Sequence, residues 1–173
     1  RASVADPTTW GTVNAAHAQM VQNGFNGIGF VLTGEDPFVG IDLDGAVTTN
    51  GLTPHAQNLL ARFPTYAELS PSGTGIHIIL RSDQAPSGWN RRSGTEVYWT
   101  GRFFAITGQP VPGHPLIPVN DCSAAFATWH GVGIHTEPRQ WAISMTDESV
   151  HDDDIPDLTD ADIELIARCC DCF

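Results

Sequence analysis

Not one of the 173 residues is lysine. Any contact this chain makes with phosphate must therefore come from arginine, backbone N–H groups, hydroxyls, histidine or a bound metal. Cysteine is scarce as well: Cys122 stands alone, and Cys169, Cys170 and Cys172 crowd the end of the chain. No Cys-x-x-Cys pair with a second half is present, so a zinc framework is not indicated and reduced thiols of an intracellular protein are expected. No apolar run approaches the roughly 18 to 20 residues of a membrane span. The first residues carry no signal-peptide apolar block, and a cytoplasmic protein without membrane partners is expected. The chain opens on Arg1 rather than methionine and stops within a helical pattern, which reads as a piece of a longer polypeptide.

Positive charge is short overall, with a formal net charge of −12. Its placement matters more than its sum. Residues 1–140 hold ten carboxylates against seven arginines, and residues 141–173 hold ten against one, which together make up the whole. The body is nearly neutral and the tail is acidic, so non-specific affinity for DNA should be weak. The division suggests a core over 1–140, an acidic linker over 141–158 around His151-Asp152-Asp153-Asp154, and the start of a further helical segment over 159–173.

The most informative stretch is Phe38 to Asp44, Phe-Val-Gly-Ile-Asp-Leu-Asp. On a strand, Asp42 and Asp44 leave by one face while Ile41 and Leu43 enter a core by the other. Two like charges so close repel unless a cation lies between them. Hard oxygen ligands of this kind suit Mg2+ or Mn2+; the plain alternative is a strand end with two solvated aspartates.

Around this stretch the chain reads as alternating helices and strands. Thr12 caps a helix with Val13, Ala16, Met20 and Val21 on one core-packing face, closed by Gly24. The run from Gly27 to Thr33 and that from Phe38 to Asp44, joined by Gly-Glu-Asp-Pro, predict a first hairpin. Thr53-Pro54 starts a second helix that should bury Ala56, Leu59, Leu60 and Phe63. A short strand, Tyr66 to Leu69, leads into Ser70-Pro71-Ser72-Gly73-Thr74-Gly75-Ile76-His77, a loop whose amides and hydroxyls suit an anion, followed by a strand with His77 off its core face. Residues 87–94 read as a loop holding Trp89, Arg91 and Arg92, which together suit a base and a phosphate backbone. Thr95 to Trp99 and Arg102 to Thr107 predict a second hairpin across Thr100-Gly101, with Glu96 and Tyr98 on one face. A glutamate inside such a strand needs a partner, and a third metal carboxylate or a paired surface glutamate both satisfy that need. Residues 109–118 read as an irregular proline-rich loop, and Ser123 to His130 as a short apolar helix with Phe126 and Trp129.

Taken in order, Gly-Ile-Asp-Leu-Asp, Ser-Pro-Ser-Gly-Thr-Gly-Ile-His and Glu-Val-Tyr-Trp-Thr-Gly-Arg-Phe-Phe-Ala-Ile-Thr-Gly resemble the three motifs of the primase-polymerase domain of the archaeo-eukaryotic primase superfamily. The likeness is to the version at the N-terminus of phage and plasmid replication proteins, and it runs from about Asp6 to Gly108. The resemblance implies an α+β fold of two small mixed modules, one with an RRM-like sheet, and an active site in the cleft between them. It implies Asp42, Asp44 and Glu96 as the catalytic ligands of two Mg2+ or Mn2+ ions. It assigns Ser70, Ser72, Gly73, Gly75, His77 and Arg102 to the incoming nucleotide, with Trp89, Arg91 and Arg92 the candidate DNA contacts. The implied function is that of a phage, plasmid or prokaryotic DNA primase and polymerase in the cytoplasm of the prokaryotic host cell. Nucleoside triphosphates and single-stranded template are its expected partners, with a C-terminal or separate helicase. A two-metal nuclease or phosphodiesterase, and a catalytically idle DNA-binding module of a primase-helicase, are the alternatives that the same residues leave open.

Overall fold

Two helices form where local capping chemistry asks for them. In the computed structural model, which describes residues 3–131 apart from 26, 85, 87 and 88, Thr12 accepts a hydrogen bond from the Ala15 N–H and opens α1 (Val13–Asn23). Thr53 accepts from the Ala56 N–H and opens α2 (Pro54–Arg62), with Pro54 in its first turn. These hydroxyl caps satisfy donors that a helix start otherwise leaves orphaned. A single 3-10 turn, Pro7–Thr9, precedes α1. The short helix α3 (Ser123–Phe126) continues into a π-helical turn, Ala127–Gly131. The acidic segment 141–158, the segment 159–173 and Cys169, Cys170 and Cys172 lie outside the described residues.

The strands are β1 (Ile28–Leu32), β2 (Phe38–Leu43), β3 (Val47–Thr48), β4 (Gly51–Leu52), β5 (Tyr66–Leu69), β6 (Ile76–Arg81), β7 (Arg91–Arg92), β8 (Thr95–Tyr98) and β9 (Arg102–Ile106). Five of them form an antiparallel sheet in the order β5-β6-β2-β8-β7, while β1 pairs with β9 and β3 with β4 in separate ribbons.

Neither expected hairpin exists. A strand has two edges, and both edges of β2 are taken, by β6 on one side and β8 on the other. Nothing is left for β1, which runs instead beside β9 with Ile28 opposite Ile106 and Leu32 opposite Arg102. By the same count β8 spends its edges on β2 and β7 and has none for β9. The turn after β1 does close as expected, Asp36 Oδ2 accepting from the Thr33 N–H at 3.2 Å and its hydroxyl at 2.6 Å. The chain leaving it crosses to the other sheet. An unexpected hairpin joins β7 to β8 within what reads as a loop. Its two-residue turn has Ser93 at φ 51° and Gly94 at φ 77°, the pair of left-handed residues that a tight hairpin requires.

The core lies on both sides of the five-stranded sheet. On one face Val39, Ile41, Leu43, Ile76, Ile78, Leu80 and Val97 pack against Ala56, Leu59, Leu60 and Phe63 from the second helix region and Phe126 from α3. On the other, Phe38 and Ile79 meet Phe30, Leu32 and Phe104 of the β1/β9 ribbon. The ribbon comes so near that a Cβ on Gly40 would stand 2.6 Å from the Phe104 ring. α1 contributes less than its pattern suggests: only Ala16 is buried, and Val21 is 66% exposed. Among the described residues no helix is long and apolar enough to cross a membrane.

Candidate active site

The antiparallel register places one residue from each of the five strands in a single rank across the sheet. Glu68 of β5 is opposite His77 of β6, His77 is opposite Asp42 of β2, Asp42 is opposite Glu96 of β8, and Glu96 is opposite Arg91 of β7. Directly opposed residues share a face with Cβ atoms about 4.5 to 5.5 Å apart. Residues spread between positions 42 and 96 of the sequence thus become neighbours, on the face opposite the Ile41 and Val97 core.

From its centre outward, the rank is held by specific contacts. His77 Nε2 stands 4.0 Å from Asp42 Oδ1. Its Nδ1 lies 3.1 Å from the Ala105 carbonyl oxygen and 3.4 Å from Glu68 Oε1. A carbonyl only accepts, so Nδ1 carries the hydrogen and Nε2 is the nitrogen turned toward Asp42. Glu68 is completely buried. Its Oε2 accepts from the Tyr66 hydroxyl at 2.6 Å, the Thr107 N–H at 2.9 Å and the Gly108 N–H at 2.8 Å, which is how a carboxylate survives without water. Burial and the Glu68 carboxylate push the Tyr66 hydroxyl's pKa up, keeping it a donor.

On the other side, Glu96 Oε1 is 2.8 Å from an Arg91 Nη2 that also lies 3.8 Å from Asp44 Oδ2. Glu96 Oε2 accepts a hydrogen bond from the Tyr98 hydroxyl, and the Tyr98 oxygen accepts from Arg102 Nη2 at 2.9 Å. The Arg102 guanidinium also sits 4.7 Å above the Tyr98 ring. Burial lifts the Asp42 carboxyl above its ordinary pKa, and although His77 pulls it down, the Asp44 and Glu96 charges push it further up.

A cleft of about 350 Å³ opens beside this rank, lined by Asp42, Pro71, His77, Glu96, Tyr98, Gly101 and the β9 stretch from Arg102 to Ala105. Its volume is in the range of small-ligand sites. Of the expected residues, Asp42, His77, Glu96 and Arg102 line it together, and Asp44 joins them electrostatically through Arg91. The Ser70 loop meets the cleft through Pro71. Within that loop Ser70 Oγ and Ser72 Oγ lie 3.0 Å apart, the Gly73 N–H donates to the Ser70 carbonyl at 2.8 Å, and the Gly75 N–H donates to Ser70 Oγ at 3.2 Å. The two glycine amides that suit an anion are engaged inside the loop, and the hydroxyl chain is its polar surface. Trp89 packs on the opposite side of the sheet, against the main core, stacked on His130 at 4.7 Å. Arg91 and Arg92 are exposed. Sequence reasoning missed Glu68, although the signal was available: an acid within Tyr-Ala-Glu-Leu, in the same kind of apolar strand that made Glu96 conspicuous.

The donor set suits a hard divalent cation in its chemistry, since carboxylate oxygens crowd together at a cost that positive charge relieves. Among the described residues, however, no three His, Cys, Asp or Glu side chains are already gathered around one point as metal ligands. The cation standing between Asp44 and Glu96 is Arg91.

No family model matches the chain. Among curated proteins it is similar to the DNA Primase-polymerase of Nitratiruptor phage NrS-1, with 37% identity over 164 residues covering 88% of this chain. The chain spans 23% of that relative's length.

Proposed function

The chain carries a primase-polymerase domain, and we propose that it performs template-directed nucleotidyl transfer, making and extending primers from nucleoside triphosphates on single-stranded DNA. The observation that carries this reading is the rank Glu68-His77-Asp42-Glu96-Arg91, which brings two of the three expected carboxylates and the expected histidine to one cleft. Asp42, Asp44 and Glu96 would hold two Mg2+ or Mn2+ ions. Such ions activate an attacking 3′-hydroxyl and neutralise charge on a leaving pyrophosphate.

The chain's own groups supply position and electrostatics. His77, its Nδ1–H held by Ala105 and Glu68, would donate from Nε2 to the triphosphate when the imidazole carries both protons. Arg102, braced on Tyr98, adds a fixed positive charge at the cleft wall. Ser70 and Ser72, with the Gly73 and Gly75 backbone beside them, would offer hydroxyls to the phosphates at the Pro71 rim. Exposed Arg91 and Arg92 are the basic groups left for template, and Trp89 serves DNA only if it leaves its packing on His130. On the same reading the five-stranded sheet with its helices and the β1/β9 ribbon correspond to two modules with the active site between them, the sheet being the RRM-like element. A helicase, beyond this segment or on another chain, is the expected partner.

The test is primer synthesis and extension on an unprimed single-stranded template with Mg2+ or Mn2+, wild type beside Asp42→Asn. Synthesis by the wild type and none by the variant is expected. Degradation of the template without elongation would replace this reading with a nuclease. Equal DNA binding by both proteins with no chemistry in either would leave an idle binding module.

A further inference from the structure

We infer that Arg91 is a built-in placeholder for the divalent cation: its guanidinium bridges Asp44 and Glu96 in the metal-free protein and has to leave Glu96 for the site to load. This rests on the reading above that these carboxylates take metal. Arg91 is not placed there by chance contact of a long side chain. The Ser93-Gly94 turn, with both residues at positive φ, sets the register of β7 on β8 and puts Arg91 directly opposite Glu96. The adjacent Arg92 is opposite Thr95 and points to the other face of the ribbon. One arginine of the pair is therefore aimed at the carboxylates, the other away from them.

The electrostatics explain what the contact does. Glu96 is largely covered, its side chain 12% exposed, and it needs a positive or donating partner on each oxygen. Tyr98 serves Oε2 and Arg91 serves Oε1 at 2.8 Å. A second oxygen-rich neighbour, Asp44, lies 3.8 Å from the same Nη2. Without a cation, Asp42, Asp44 and Glu96 repel one another; with Arg91 in place the repulsion is partly met. A divalent ion bound to Glu96 Oε1 at about 2.1 Å would stand within a few ångströms of the guanidinium, and the two positive charges exclude each other.

The placeholder is soft. The Arg91 and Asp44 side chains are 69% and 64% exposed, so the guanidinium swings into water with little loss. It raises the metal concentration at which the site fills rather than blocking it.

The experiment is calorimetric titration of Mn2+ into the full chain without nucleotide, comparing wild type, Arg91→Gln, Arg91→Lys and Arg92→Gln, each checked for unchanged circular dichroism. Arg91→Gln should bind Mn2+ about two- to tenfold more tightly, the range set by loss of one exposed charge contact. Arg91→Lys, which keeps the charge, should stay nearer the wild type, and Arg92→Gln should equal it. Affinity in Arg91→Gln equal to or weaker than wild type overturns the inference. So does an equal gain in Arg91→Gln and Arg92→Gln, which would mean general surface charge. A wild type that takes up no Mn2+ removes the metal reading itself, and the placeholder with it.

Discussion

Asp42 sits where burial and two neighbouring carboxylates all oppose its ionisation, with His77 the principal opposing influence. Its folded-state pKa is raised, so the folded protein binds this proton more readily than the unfolded chain, and stability falls as pH rises from the unfolded value through the folded one. At neutral pH the ionised Asp42 is therefore a liability that Asp42→Asn removes. The metal-free Asn variant should melt at the same temperature as wild type or higher at pH 7, and the difference should shrink as the pH is lowered and wild-type Asp42 takes up its proton. A metal-free Asn variant that melts lower at pH 7 would mean that Asp42 is instead held by its attraction to His77. His77 has a different task. Its Nδ1 is committed to Ala105 and Glu68, and on the proposed reading the doubly protonated ring donates from Nε2 to phosphate. His77→Ala should lower kcat/KM for nucleotide about ten- to a hundredfold, the worth of one charge-assisted hydrogen bond of about 1.5 to 3 kcal/mol. Mn2+ affinity measured without nucleotide should hold, because oxygen-preferring ions have little use for imidazole beside carboxylates. A fall in that affinity as large as the one caused by Asp42→Asn would make His77 a ligand.

Among the elements, β2 is central to the site because it carries Asp42 on one face and the apolar row Val39, Ile41 and Leu43 on the other, with a partner strand on each edge. Its Gly40 is the point where the ribbon touches down, the Phe104 ring standing where a Cβ would be. Phe104 in turn meets the His77 ring edge-on at 5.0 Å and the Tyr98 ring at 6.3 Å, so the packing of the ribbon and the pose of two cleft residues are one arrangement. Gly40→Ala should cost about 1 to 3 kcal/mol, the usual penalty of overpacking, read as a lower urea midpoint at unchanged slope. It should also reduce nucleotide turnover through Phe104, although residue 40 itself reaches no ligand. Wild-type stability in that variant would mean that the ribbon retreats freely and does not set the cleft. The helices behave differently. Thr53-Pro54 and the spacing of Ala56, Leu59 and Leu60 specified α2 and its buried face from nearby residues alone, as the structure bears out. α1 was equally legible as a helix, yet its depth of burial was not, because that depends on what lies over it.

For the molecule as a whole, the described residues already close a double-sided core around the five-stranded sheet, and most of the net negative charge lies after residue 140. A chain ending at residue 146 should therefore unfold cooperatively near the temperature of the full chain and retain nucleotide transfer, with equal or better affinity for template. Loss of the cooperative transition would show that the later residues are integral to the fold. The sequence by itself determined the helix caps, the alternation that turns Asp42, His77 and Glu96 away from the core, and the order of the three motifs on which the family resemblance rests. Each is written in residues a few positions apart, where propensity, side-chain period and turn chemistry act directly. Only the tertiary structure decided which strands pair. Both expected hairpins had adequate turns, but β2 and β8 have two edges apiece, and distant strands with matching apolar faces occupy them. That competition is settled by the burial of whole faces and not by the turns. It is also what sets His77 and Glu96 on either side of Asp42, contacts that no local pattern could reveal because their strands are distant in sequence and meet only through the sheet register.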